Sequence, residues 1–241
     1  MRKITINLAA VAAFCIVVAS PALVSSSCAT PKTEQEDTTI IREDSGITAL
    51  KYSSPEVPAS IEFCGKTIDL SRFDRHERMD RELLAFTYMH STSLQMLKKA
   101  NRYFPIVEPI LKENGIPDDF KYLMVIESNM NPTARSSAGA AGLWQFMQGT
   151  GRDYGLEVNN NVDERYHIEK ATRAACRYLK DAYAKYKDWV AVAASYNAGQ
   201  ARIASQLAKQ DVDDSLDLQL VEETARYVYR ILAAKQLFNA P

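Results

Sequence analysis

From Arg72 onward, apolar and polar residues follow one another at helical spacing, rich in alanine and leucine and cut by Gly, Pro and Asn. No run alternates in the manner of a strand. The pattern predicts helices over residues 75–102, 105–114, 118–128, 169–186 and 221–238, with a shorter one over 188–196. Upstream, Ile61, Phe63 and Ile68 sit among turn formers and predict one short extended piece within 61–70. The expected fold class is all-α, with at most a minor short extended segment before it.

The first residues break this pattern. Met1-Arg2-Lys3 is a basic start, and residues 4–24 form a nearly uncharged apolar stretch that ends in Ser25, Ser26, Ser27 and Cys28. Residues 1–27 read as a secretory signal peptide, with a membrane anchor as the alternative. Cys28 stands where a bacterial lipoprotein is cleaved and acylated, although Ser25 replaces the branched apolar residue usual in that signal. Lipidation of Cys28 would tether the chain to a membrane; a plain signal peptide would leave a free thiol. Residues 28–58 are rich in Thr, Glu, Asp, Ser and Pro without an apolar period and read as a flexible linker. Cys15 leaves with the signal, so Cys64 and Cys176 either pair in an oxidising compartment or stay as buried thiols.

Hydrophobic residues make up 46% and charged residues 24% of 241 residues, enough for a sizeable core in one domain. The formal net charge of -1 gives no basic face of the kind nucleic acids require, so no nucleic-acid partner is expected. A neutral, carbohydrate-rich substrate is compatible with that balance. There is no internal repeat within the domain.

One helix carries an anomaly. After Pro117, with Asp118 or Asp119 available to cap the start, Phe120, Leu123 and Met124 recur at i, i+3 and i+4, a core-facing stripe whose i+7 position is Glu127. A carboxylate occupies a position patterned for a hydrophobe. Burial makes ionisation costly, and the negative end of the helix dipole adds to that cost, since Asn131-Pro132 must stop the helix just beyond. Such a group is either satisfied by an Arg or Lys or kept protonated, as general-acid cleavage of a glycosidic bond requires.

From Glu127 the chain reads Glu-Ser-Asn-Met-Asn-Pro-Thr-Ala-Arg-Ser-Ser-Ala-Gly-Ala-Ala-Gly-Leu-Trp-Gln-Phe-Met. This resembles the catalytic motif of the soluble-lytic-transglycosylase (SLT) family, whose fold is similar to goose-type lysozyme. Two further motifs of that family match Ala194-Ser195-Tyr196-Asn197-Ala198-Gly199 and Glu223-Thr224-Ala225-Arg226-Tyr227-Val228. The resemblance implies a lysozyme-like α-helical catalytic domain over 115–241. Residues 59–114 would form an upstream extended and helical segment similar to that of membrane-bound type D relatives, here without the wall-binding LysM repeats. It gives Glu127 the role of catalytic acid and base, and it assigns substrate binding to Ser136, Gln145, Met147, Tyr196, Asn197, Glu223 and Tyr227. Gln148 departs from the family's proline after Gln-x-Met, which predicts a looser loop beside the cleft.

The residues make chemical sense beside the resemblance. Gly139 and Gly142 let a backbone take positive φ beside the acid. Ser136, Gln145 and Asn197 suit sugar hydroxyls and acetamides, and Tyr196 adds a flat ring with a polar tip. Glu223 and Tyr227, at i and i+4, share one helix face, as would an exposed surface pair. Trp144 and Trp189 read as core; His76, His90 and His167 have no metal-ligand spacing; Asp163-Glu164-Arg165 reads as a structural charged turn.

The implied reaction cleaves the bond between N-acetylmuramic acid and N-acetylglucosamine in peptidoglycan strands. Glu127 would protonate the bond oxygen and then take the proton of the muramoyl 6-hydroxyl as a 1,6-anhydro ring closes. No metal and no organic cofactor is implied. The nearest alternative is a hydrolytic muramidase with Asp153 or Asp163 activating water. A more distant one is a non-catalytic wall-binding lipoprotein, whose mark would be a replaced acid. The expected location is exported and periplasmic, membrane-anchored through Cys28, on the outer membrane if the lipoprotein signal holds. Regulatory envelope proteins are possible partners.

Overall fold

The helix that carries Glu127 has a mean composition too apolar for a surface. In α3, Phe120–Ser128, every residue but Lys121 and Glu127 is buried. The same holds for the first six residues of α6, Trp189–Ala198, apart from half-buried Trp189. Helices apolar on all sides must be wrapped by others. In the computed structural model, which describes residues 55–212 and 214–239, the wrapping is done by α2 (His90–Glu113), α5 (Ile168–Tyr186) and α8 (Glu222–Asn239). α8 packs on α3, on α6 and along α1, Phe73–Tyr88. Two further helices, α4 (Gln148–Asp153) and α7 (Gln200–Lys209), and two 3₁₀ turns at Glu164–Tyr166 and Ser215–Asp217 complete the helical part.

The short extended piece is a hairpin. β1, Ser60–Phe63, pairs antiparallel with β2, Lys66–Asp69, in the register Ile61↔Ile68 and Phe63↔Lys66. Cys64 and Gly65 turn the corner, both at positive φ (53° and 81°), the backbone a two-residue hairpin favours. Phe63, Ile68 and Leu70 are fully buried beneath it. The all-α expectation with a minor extended segment holds.

Three local expectations change. The helix expected over 75–102 is two helices that meet at Met89, and the second continues through Pro105 and Pro109 to Glu113. Each proline removes only one intrahelical donor, while Tyr103, Val107, Ile110 and Leu111 on the same helix are buried in the core and hold it in place. Asp119 precedes α3 but does not cap it. Its Oδ2 instead accepts the Cys64 backbone N–H at 2.6 Å, and its Oδ1 meets Lys235 Nζ at 2.7 Å, tying hairpin and α8 to α3. The stop signal comes earlier than Asn131-Pro132, because Asn129 already takes the left-handed conformation (φ 49°, ψ 38°), where asparagine is favoured.

Cys64 and Cys176 are both free; Cys176 is buried, and desolvation pushes its thiol up to about 11. The expected signal peptide, most of the linker, Cys15 and Cys28 lie outside the described residues. Among the described residues no helix is long and apolar enough to cross a membrane.

Candidate active site

Glu127 sits in the last turn of α3, half-buried, and Tyr227 on α8 donates its hydroxyl hydrogen to Glu127 Oε1. Desolvation pushes the Glu127 carboxyl up to about 7 from an ordinary 4.5. The Tyr227 hydrogen bond and the Arg230 charge pull it down, and the Glu223 charge pushes it up. The acid thus stands near half-protonated at neutral pH, between apolar surroundings that favour the neutral form and a donor that favours the anion. Tyr227 is only 3% exposed, and burial holds its phenol well above the usual range. It donates and stays protonated. Arg230 is one helical turn on from Tyr227, and its Nη2 donates to the Ile126 carbonyl at 3.3 Å, serving an orphan acceptor at the end of α3.

Around the acid, α6 and α8 share a polar link. Asn197 Nδ2 donates to Glu223 Oε1 at 3.3 Å, and Thr224 Oγ1 donates to Asn197 Oδ1 at 2.9 Å. Asn197 is therefore oriented through both ends of its amide. The Tyr196 hydroxyl donates to the Trp144 carbonyl at 2.8 Å, and its burial, with the Glu127 charge next, holds that phenol well above its usual range. Gln145, Met147, Tyr196 and Asn197 line one depression of about 290 Å³, with Phe146 and Thr150.

The loop after α3 is built around a buried cation. Arg165, 4% exposed, grips Asp163 with Nε and Nη2 (2.9 and 2.7 Å) and donates from Nη1 to the carbonyls of Gly139 and Phe146 (2.8 and 2.9 Å). The loop closes on the Arg165 backbone as well: Gly142 has φ +79°, and a Cβ there would lie 1.9 Å from the Arg165 carbonyl oxygen. Gln145, itself at φ 48°, donates from Nε2 to the carbonyls of Ala134 and Gly142. Two isolated bridges, Arg135 with Ala141 and Ala141 with Phe146, complete a small rigid platform.

The residues singled out in the sequence are thus arranged in three sets. Glu127 and Tyr227 touch, Asn197 and Glu223 touch, and Gln145, Met147, Tyr196 and Asn197 share a depression. Ser136 stands apart: it is exposed, and its Oγ accepts the Ala140 N–H at 3.0 Å, within its own loop. Trp144 is core, fully buried with Nε1 on Thr172, and half-buried Trp189 stacks on Tyr183 at 4.0 Å. Asp163 is committed to Arg165, which holds it below the usual carboxylate range, so it is not placed to activate water. Glu223, not Asp153 or Asp163, is the carboxylate whose charge Glu127 feels. Sequence reasoning missed Arg230 and Thr224, which on a helix read as ordinary surface residues; the i+3 spacing of Arg230 from Tyr227 was the available signal.

Comparison with known proteins shows what the chain is similar to. The family described as transglycosylase SLT domain matches residues 105–217. Membrane-bound lytic murein transglycosylase D of Escherichia coli (strain K12) is 30% identical over 168 residues, covering 68% of this chain and 36% of that protein. Membrane-bound lytic murein transglycosylase C of Haemophilus ducreyi is 29% identical over 150 residues, covering 56% of this chain and 40% of its own length. The X-ray structure of an inactive mutant of lytic transglycosylase Slt from Pseudomonas aeruginosa aligns over 71% of this chain and 35% of that one, at 21% identity and a TM-score of 0.47. The chain spans 36% of the length of the type D relative. Residues 105–217 are a transglycosylase SLT domain, in a chain homologous to membrane-bound lytic murein transglycosylase D.

Proposed function

We propose that this chain is a peptidoglycan lytic transglycosylase that cleaves the β-1,4 bond between N-acetylmuramic acid and N-acetylglucosamine and leaves a 1,6-anhydro-muramoyl end. The observation that carries the reading is Glu127, a carboxyl poised near pH 7 at a helix end and hydrogen-bonded by Tyr227, inside the SLT match. Protonated Glu127 donates to the glycosidic oxygen as the bond breaks. The Glu127 anion left behind keeps the Tyr227 hydrogen bond and the Arg230 charge, which favour that form. It then receives the proton of the muramoyl 6-hydroxyl as that oxygen bonds to C1. No water enters the product, so a second carboxylate of the kind glycosidases use for water or covalent attack is not required. Asn197, Gln145, Met147 and Tyr196 are read as the sugar-contacting wall, with Glu223 orienting Asn197. Ser136 is read as a substrate contact offered from the exposed loop.

Export and retention in the envelope belong to the same reading, supported by the signal-like residues 1–27 and by relatives whose names describe membrane-bound enzymes. A lipidated Cys28 would supply the tether. Digestion of purified peptidoglycan followed by mass spectrometry tests the reaction. Anhydro products lighter by one water than hydrolytic ones support it, and reducing-end products alone sink it in favour of a muramidase.

A further inference from the structure

A groove of about 770 Å³ runs between α1 and α8, away from Glu127. Its volume is in the range of small-ligand sites. Its lining mixes apolar Leu84, Ala85 and Ala225 with charged side chains. Some of these charges are already spent. Arg226 grips the buried Glu82 through Nε at 2.6 Å and Nη2 at 3.1 Å, and Arg81 Nη1 meets Glu222 Oε1 at 2.8 Å. Others are not. Arg78 lies over the Tyr229 ring at 6.0 Å, and neither it nor Asp80, half-buried two residues on, has an ion-pair partner among the described residues. The groove therefore presents one cation, Arg78, and two anions, Glu77 and Asp80, without ion-pair partners among the described residues, beside the apolar Leu84, Ala85 and Ala225.

Its position relates it to the site. α8 forms one wall of the groove and also carries Glu223 and Tyr227. Arg226 projects about 60° around the helix from Glu223, so the two faces adjoin. The groove and the candidate site thus share α8 as a common wall.

We infer that this groove receives the peptide branch of the glycan strand, a short peptide bearing both a carboxylate and an ammonium group, with Arg78 holding the carboxylate and Asp80 the ammonium. The inference rests on the peptidoglycan reading, because that substrate carries its peptide on the lactyl group of the sugar whose bond is cut. Apolar side chains such as alanine methyls cover Leu84 and Ala85, and the two charged ends meet opposite charges. The groove then makes affinity depend on the peptide while leaving the chemistry at Glu127 alone.

The test compares wild type, Arg78→Gln and Asp80→Asn on two substrates, peptide-bearing glycan strands and the same strands stripped of peptide by an amidase. Each substitution is expected to raise KM on peptide-bearing strands by about tenfold, the loss of one hydrogen bond to a charged group. The KM on stripped strands and kcat on both should be unchanged. Equal effects on the two substrates, or none on either, overturn the groove as a peptide site. If wild type cleaves neither substrate, the enzymatic reading fails. The groove is then judged by NMR titration of wild type and Arg78→Gln with the free stem peptide: binding lost in the variant supports it, and binding absent or unchanged overturns it.

Discussion

The Tyr227 hydroxyl on α8 donates to Glu127 Oε1 on α3, two side chains 100 positions apart in the chain. The contact makes the acid's readiness to donate depend on how α8 seats against α3. It also opposes the dominant effect at the site, since burial favours the neutral carboxyl and the phenol favours the anion.

Tyr227→Phe keeps the ring and removes the donor. Without it the Glu127 carboxyl titrates higher than in wild type, and the alkaline limb of the pH–rate profile moves up. The anion that must accept the 6-hydroxyl proton is less stabilised, so kcat falls about ten- to hundredfold at pH 7, the worth of a hydrogen bond to a charged group. A pH–rate series on both proteins reads both effects. An unchanged profile would show that the phenol does not tune the acid.

Glu127 should weaken the fold above neutral pH. Its folded value of about 7 lies above its ordinary 4.5, so the native state binds more protons than the unfolded chain between these values. Stability linked to this group is fully present below pH 4.5 and is lost as pH rises through 7. Glu127→Gln removes the titration. It should be more stable than wild type by about 1–3 kcal/mol at pH 8 and nearly equal at pH 4.5, in paired thermal melts. A stability difference independent of pH would contradict the shift.

The platform after α3 should fail from two directions. Gly142→Ala places a Cβ on the Arg165 carbonyl and asks an L-residue to hold φ +79°, which costs at least about 2 kcal/mol. Arg165→Met leaves Asp163 without its ion pair, removes the donor to the Gly139 carbonyl and leaves the Phe146 carbonyl with only the Ala141 N–H, with a cost of about 3 kcal/mol. Denaturant unfolding measures both. Wild-type midpoints in either variant would remove the platform from the account.

Gln148 begins α4 with Met147 at φ -67° and ψ 151° before it. That is a position and a preceding backbone that suit proline. The looser loop expected from the missing proline is in fact a short helix. Gln148→Pro should raise stability by about 0.5–1 kcal/mol and leave cleavage unaffected. A fall in the melting temperature would show that the Gln148 N–H is needed.

Most of the helical frame was legible because long alanine- and leucine-containing stretches are cut by Gly, Pro and Asn, and the Glu127 anomaly was legible against the i, i+3, i+4 spacing of Phe120, Leu123 and Met124. Two helices were not. α4 reads Gln-Gly-Thr-Gly-Arg-Asp, whose glycines argue against helix, and it forms because Gly151 lets it pack on the Arg165 side chain. α7 follows Gly199, which reads as a stop but here turns the chain at φ 85° between two helices. The continuation of α2 through Pro105 and Pro109 is a tertiary effect that local rules score as a break. Within the site, the resemblance named Glu127, Tyr227, Asn197 and Glu223, which the fold brings into contact in pairs, but it could not show that Tyr196 is bonded to the Trp144 carbonyl or that Asp163 is locked to Arg165. Those pairings join residues far apart in sequence or depend on a rotamer, and neither leaves a period to read.

The central claim is that Glu127 is the acid that breaks the glycan and that no water enters the product. Liquid chromatography with mass spectrometry of peptidoglycan digested by wild type and by Glu127→Gln tests both halves at once. The account predicts 1,6-anhydro-muramoyl products from wild type and only background from the variant, which remains folded. Anhydro products released equally by the variant, or reducing ends in place of anhydro ends from wild type, would contradict it.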